Sequence, residues 1–159
     1  MIAEVAVLNE DVLGFRVGAW GFVLPVSIQC EVLERLQVNP IPNVEPWLSG
    51  LLNVRGQIVP VIDLRLLLGD NSPPHKQRYL FAIDRGDKSV AIWIDGYPQL
   101  LTTTAQSCQA LGSLTTLSER LQPFLVQAYR YQDQLWLQMR FDLLFKSLGQ
   151  QQARQDTVL

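Results

Sequence analysis

The sequence predicts an all-β, mainly β fold. Three observations carry that reading. Apolar residues fall in short runs, several of which alternate with polar or small ones, the period of a half-buried strand. These runs pair up around brief turns carrying Gly or Asp, the mark of hairpins. Hydrophobic residues make up 48% of the 159 residues and charged residues 18%, which supplies a core and lies outside the composition of disordered chains.

Taken in order, Leu13 to Val17 alternates as a strand, Gly18-Ala19 makes a tight connection, and Trp20 to Leu24 returns, closed by Pro25. Ser27 to Leu36 fits either a capped short helix or a strand. Asn39 to Asn43 contains two prolines and continues neither element, because proline lacks the amide donor and restricts its predecessor. Glu45 to Leu48 reads as one helical turn. Gly50 to Val54 and Ile58 to Ile62 flank Arg55-Gly56-Gln57 as a hairpin, and Pro60 demands an edge position or a bulge there. Asp63 to Leu68 fits a short helix stopped by Gly69.

The polar stretch Asp70 to Gln77 reads as an exposed connection. Tyr79 to Asp84 and Ser89 to Ile94 form a second hairpin around residues 85–88. Thr102 to Arg120 is weakly patterned. Leu125 to Tyr131 and Leu135 to Phe141 form a third hairpin around residues 132–134. Asp142 to Leu148 fits a short helix, and from Gly149 the chain is polar and expected to fray. The segments 58–64 and 135–143 echo each other, each a return strand followed by Asp-Leu and an apolar helix. Two small barrels of similar build would produce that echo, and so would an accident of β-rich composition.

A net charge of −2 does not favour a nucleic-acid surface, so no nucleic acid is expected as a partner. The first residues carry Glu4 and Glu10 without a basic region before an apolar run, unlike a signal peptide. No uncharged run approaches the ~18 residues of a membrane span, so direct membrane insertion is not expected. Cys30 and Cys108 lack metal-ligand spacing and read as buried thiols of a reducing cytoplasm. His75, the single histidine, stands in the proline-rich connection without a second histidine to share a metal. Neither a phosphate-binding loop nor a nucleophile elbow occurs. Asp63, Asp84 and Asp95 each follow an isoleucine at a strand end. Paired aspartates can activate water, but Leu64, Arg85 and Gly96 are the wrong followers, and capping of the next turn is the simpler role. No catalytic residue, cofactor or metal is therefore assigned, and an enzyme is not expected.

One segment is far more specific than composition. Ile41-Pro42-Asn43 leads to Gly50-Leu51-Leu52-Asn53-Val54-Arg55-Gly56 and then to Ile58-Val59-Pro60-Val61-Ile62-Asp63-Leu64-Arg65. Nearly position by position, this resembles the central signature of the CheW family of chemosensory coupling proteins. Phe15 to Pro25 resembles that family's first hairpin, and Asp133 to Leu143 its last strand and terminal helix. The resemblance covers about residues 12–148. It implies two packed SH3-like five-stranded antiparallel β-barrels with short helices, forming one domain over 12–148. The crossover is expected near 70–79, with 1–11 and 149–159 as flexible termini.

The resemblance further implies a non-enzymatic cytoplasmic adaptor, associated with receptor arrays at the inner membrane. Its partners would be the regulatory domain of a CheA-type histidine kinase and the cytoplasmic tip of a methyl-accepting chemoreceptor. Glu31 matches a functional acidic residue of the family and Arg55 the arginine of its central signature. A guanidinium fixed on a turn between buried strands suits pairing with a partner carboxylate. A partner helix also needs an apolar floor. Val26, Ile28, Leu52, Val54 and Ile58 are candidates for it, though each equally fits the core. Trp47, among prolines, reads as an exposed anchor or a lid. Residues 102–118 carry fewer acidic residues and prolines than the family usually has there. The stretch 46–56 is as similar to members serving type IV pilus (twitching) systems as to flagellar ones. A stand-alone SH3-like binding module for another ligand is the competing class.

Overall fold

A computed structural model describes residues 10–70, 73–74, 76–103, 108–111 and 114–157. His75 lies outside the described residues, as do residues 1–9. Among the described residues, ten strands and two α-helices follow in the order β1 (Glu10–Val17), β2 (Trp20–Pro25), β3 (Cys30–Leu33), β4 (Leu48–Val54), β5 (Gln57–Ile62), α1 (Leu64–Leu67), β6 (Arg78–Ile83), β7 (Val90–Thr103), β8 (Cys108–Leu111), β9 (Leu125–Tyr131), β10 (Gln134–Met139) and α2 (Phe141–Thr157). The mainly β expectation holds.

The strands run β3-β6-β7-β1-β2-β10-β9-β8 across one hydrogen-bonded path, with β4 joined through β5 to β7. The fourteen-residue β7 is the spine. Its first half pairs with β6 on one side and β5 on the other, and its second half pairs with β1. Between the halves Gly96 has φ +72, a conformation that costs glycine little, and here the register against β1 shifts. The connection after α1 leads from β5 to β6, both neighbours of β7. Not every pairing is antiparallel. β5 with β7 and β10 with β2 are parallel, and each joins strands far apart in sequence, as a parallel pair requires. The echo in the sequence is thus structural: each echoing segment is a hairpin return strand with one parallel neighbour and a helix behind it.

Local details follow sequence chemistry. In the first hairpin Gly18 takes φ +60 in a two-residue turn. Pro60 sits opposite Leu51, whose amide and carbonyl are engaged by Asn39 at 2.9 Å each. Pro60 therefore faces no ladder bond to β4, so it is held in a strand with neighbours on both sides and in regular register rather than at an edge or a bulge. Ser27 to Leu36 resolves as a strand, β3. Glu45 to Leu48 is a turn closed by the Leu48 amide on the Glu45 carbonyl at 3.0 Å, not a helix, and β4 begins at Leu48. The second and third hairpins form as expected, the third with a two-residue turn at Gln132 and Asp133, φ +51 and +60. The weakly patterned stretch holds the end of β7 and β8. The terminal helix does not stop near Leu148 but continues to Thr157, because residues 150–153 are three glutamines and an alanine, which propagate a helix well.

The main apolar cluster stacks Phe15, Phe22, Phe81 and Phe141, with ring centroids 5.2–5.9 Å apart. Phe81 comes from β6 and Phe141 from α2, so one core joins both ends of the sheet path. A second cluster of Leu33, Leu52, Val54, Val59, Val61, Leu80, Ala82 and Ala91 fills the space enclosed by β3 to β7. Val12, Val23 and Trp136 form a third. Burying each large side chain stabilises the fold by about 1.5–3 kcal/mol.

Candidate functional site

The β4–β5 hairpin builds the site. Arg55 and Gly56, φ +50 and +85, form a two-residue turn of the kind that matches strand twist. The Asn53 side-chain oxygen accepts the Gly56 amide at 2.9 Å, which stiffens the tip. Arg55, projecting from it, donates to and forms an ion pair with Glu31 on β3. That bond, then the charge of Glu31, holds the guanidinium above even its ordinary high value. Both side chains remain open to solvent, Arg55 at 73% and Glu31 at 45%, so both stay available to a partner.

Beneath the pair lies an open groove of about 760 Å³. Val54, Val59 and Ala82 line its floor, Val26 stands 58% exposed on its flank, and Ile28 is half-buried beside it. The rim adds Asp84 and Arg85, where the Asp84 carboxylate accepts the Arg85 amide at 3.0 Å. Of the residues singled out in the sequence, the fold brings Glu31, Arg55, Val26, Ile28 and Val54 to one groove. Three are placed elsewhere. Leu52 is 1% exposed and, unlike Val54 of the same cluster, does not line the groove. Trp47 is 4% exposed and packs in the main cluster, so it is not an exposed anchor. Ile58 is 58% exposed but alternates to the face of β5 opposite Val59.

Sequence reasoning missed Val59, Ala82, Cys30 and Arg85 in the groove. Val59 was visible as the strand neighbour of Ile58 on the other face, but Ala82 and Arg85 arrive from β6 through long-range pairing. Cys30 is half-buried rather than buried, and loss of solvent pushes its thiol up. The strand-end aspartates divide. Asp84 accepts the adjacent Arg85 amide, while the turn after it has no side-chain cap. Asp63 makes no side-chain cap to α1 and lies instead between Arg65 at 3.7 Å and Arg78 at 3.5 Å. Asp95 accepts the Gly18 amide at 2.6 Å, tying β7 to the first hairpin.

A preset cation and anion above an apolar floor, exposed on a β framework, suit the capture of another protein's surface. They define a binding scaffold. The CheW-like domain family matches residues 11–149, and the chain belongs to that family. It is a CheW-like adaptor. It is 32% identical to "Protein PilI" of Pseudomonas aeruginosa over 136 residues, 83% of this chain and 73% of that one. It is 24% identical to "Chemotaxis protein CheW" of Thermotoga maritima over 115 residues, 72% of this chain and 74% of that one. Among solved structures, the scaffolding protein TtCheW from Thermoanaerobacter tengcongensis superposes with a TM-score of 0.71 at 18% identity, covering 87% of this chain and 94% of that one. Among the described residues, no helix is long and apolar enough to cross a membrane.

Proposed function

We propose that the chain couples the cytoplasmic tip of a methyl-accepting chemoreceptor to the regulatory domain of a CheA-type histidine kinase. It does so without chemistry of its own, in the cytoplasm, beside receptor arrays at the inner membrane. The observation that carries this reading is the Glu31–Arg55 pair held over the groove in a member of the CheW-like family. The strand pairing supports two β-barrel subdomains within 12–148. One would hold β3 to β6 with the first half of β7, and the other β1, β2 and β8 to β10 with its second half. The change-over then falls at Gly96. The test is a pull-down in which immobilised protein is offered a CheA-type regulatory domain and a receptor-tip fragment separately. Both should be retained. Retention of neither sinks the proposal, as would label transferred from ATP to the isolated protein.

The PilI similarity favours service in a type IV pilus system. Deleting the gene should then abolish twitching and spare swimming, and the opposite pattern assigns it to flagellar output.

A further inference from the structure

Four charged residues line the groove beneath the β4–β5 tip: Glu31, Arg55, Asp84 and Arg85. The fold engages three of them. Glu31 and Arg55 take each other, and the Asp84 carboxylate accepts the Arg85 backbone amide at 3.0 Å. The Arg85 guanidinium differs. Among the described residues it makes neither an ion pair nor a side-chain hydrogen bond, and the residue is exposed.

The backbone that carries this cation is nonetheless held. Asp84 takes left-handed backbone at φ +72, which aspartate adopts more readily than most residues. Its amide donates to the Gln29 carbonyl at 2.7 Å. Past the turn, the Ser89 amide donates to the Gly86 carbonyl at 3.3 Å, and Ser89 is buried. Gln29 and Ser89 both line the groove, so the turn is fixed to the groove wall while its guanidinium stands at the rim.

This arrangement bears on which partners the groove accepts. Glu31 and Arg55, matched to each other, offer both signs of charge and rank acidic against basic partners weakly. Arg85 breaks no existing ion pair when a carboxylate arrives, and its planar fork can hold both oxygens. Fully in water such a pair contributes little. Covered by a partner whose apolar side chains occupy the Val54, Val59 and Ala82 floor, it loses its screening and gains strength. An open groove with an apolar floor fits the apolar face of a helix. We infer that Arg85 is the specificity-determining residue of the groove, selecting a helix whose apolar face is edged by a carboxylate and pairing with that carboxylate. The inference rests on the coupling reading, and of its two partners it assigns this contact to the chemoreceptor tip, the helical one.

The experiment titrates a receptor-tip fragment and, separately, a kinase regulatory domain into wild type, Arg85→Lys, Arg85→Glu and Lys88→Glu. Circular dichroism melts confirm that each variant is folded. Lys88→Glu is the control, since it makes the same change of charge on the same turn but outside the groove lining. Screening at physiological salt, over about 8 Å, limits its reach. Arg85→Glu should weaken the tip about tenfold or more, the size of a lost interfacial charge contact. Arg85→Lys should weaken it less, because an ammonium keeps the charge but not the fork. Lys88→Glu should stay within about twofold, and the kinase domain should bind all four proteins alike. Replacing the acidic residues of the tip by Lys, one at a time, should uncover a tip variant that binds Arg85→Glu better than it binds wild type. Undiminished tip binding by Arg85→Glu overturns the inference and leaves the coupling reading standing. So do equal losses in Arg85→Glu and Lys88→Glu, a loss confined to the kinase domain, or the lack of any compensating tip variant. Wild type that binds neither partner overturns both.

Discussion

Arg55 is the residue on which binding and folding separate most cleanly. Its backbone is fixed by a turn and its side chain is largely in water, so its worth to the fold is small. Removing it should leave the melting temperature nearly unchanged while weakening a partner about tenfold or more, the usual consequence of breaking an interfacial ion pair. Arg55→Glu should be worse, because it sets like charge against both Glu31 and a partner carboxylate. Unfolding of Arg55→Ala, or undiminished binding of both partners, would make the residue a tether or a bystander. Gly50 is the opposite case. It has φ +148, and a Cβ there would stand 2.2 Å from the Asn39 carbonyl oxygen. Gly50→Ala should cost about 2–4 kcal/mol through backbone strain and the lost Asn39 bridge, read from a denaturant melt. A variant as stable as wild type would show that the bridge yields freely.

Among elements, α2 was the least legible. Its start was readable, since Asp142 follows the last strand, but its length was not. The Arg140 carbonyl accepts the Leu144 amide at 3.0 Å and opens the helix, while the Arg140 guanidinium holds Asp142 through two bonds at 2.8 and 3.0 Å. Those bonds, against a partial cost of burial, keep the Asp142 carboxyl below its ordinary value of 3.8. A carboxylate depressed in the folded state stabilises above its unfolded pKa, and that gain is lost as pH falls through the folded value. Asp142→Asn should therefore lower the melting temperature near neutrality. Its difference from wild type should shrink once pH drops below 3.8. A difference that persists unchanged in strong acid would assign the effect to packing. Farther along, the Gln152 side chain accepts the Glu45 amide at 3.3 Å and Gln151 accepts from Arg120 at 3.1 Å. These tie the helix end to the turn before β4 and to the segment before β9.

For the whole molecule, the aromatic cluster decides how many folding units there are. Phe15, Phe22, Phe81 and Phe141 come from β1, β2, β6 and α2, so neither half of β7's neighbours owns a complete core. Unfolding should then be a single transition, with tryptophan fluorescence and far-ultraviolet circular dichroism coinciding. Phe15→Ala should cost about 3–5 kcal/mol and keep the transition single. Two separated transitions in the wild type would mean that the two halves fold alone.

The sequence alone determined the local matters: the four hairpins, the turn at Arg55-Gly56, the helix stop at Gly69 and the family signature over 41–65. Each depends on backbone chemistry within a few residues, or on alternation that one strand displays by itself. It also placed Glu31 and Arg55 as candidates, but not as partners, because they meet only when β3 and the β4–β5 tip close on the groove. Tertiary structure alone decided which residues of the apolar clusters also line the groove. Leu52 and Trp47 turn inward and Val26 outward, although all are apolar in the sequence. The same holds for the parallel pairings β5–β7 and β10–β2 and for the stacking of Tyr79 on Tyr97. The physical reason is common to them all. A long-range contact is set by which surfaces remain to be covered once the chain has packed, and no window of neighbouring residues contains that information.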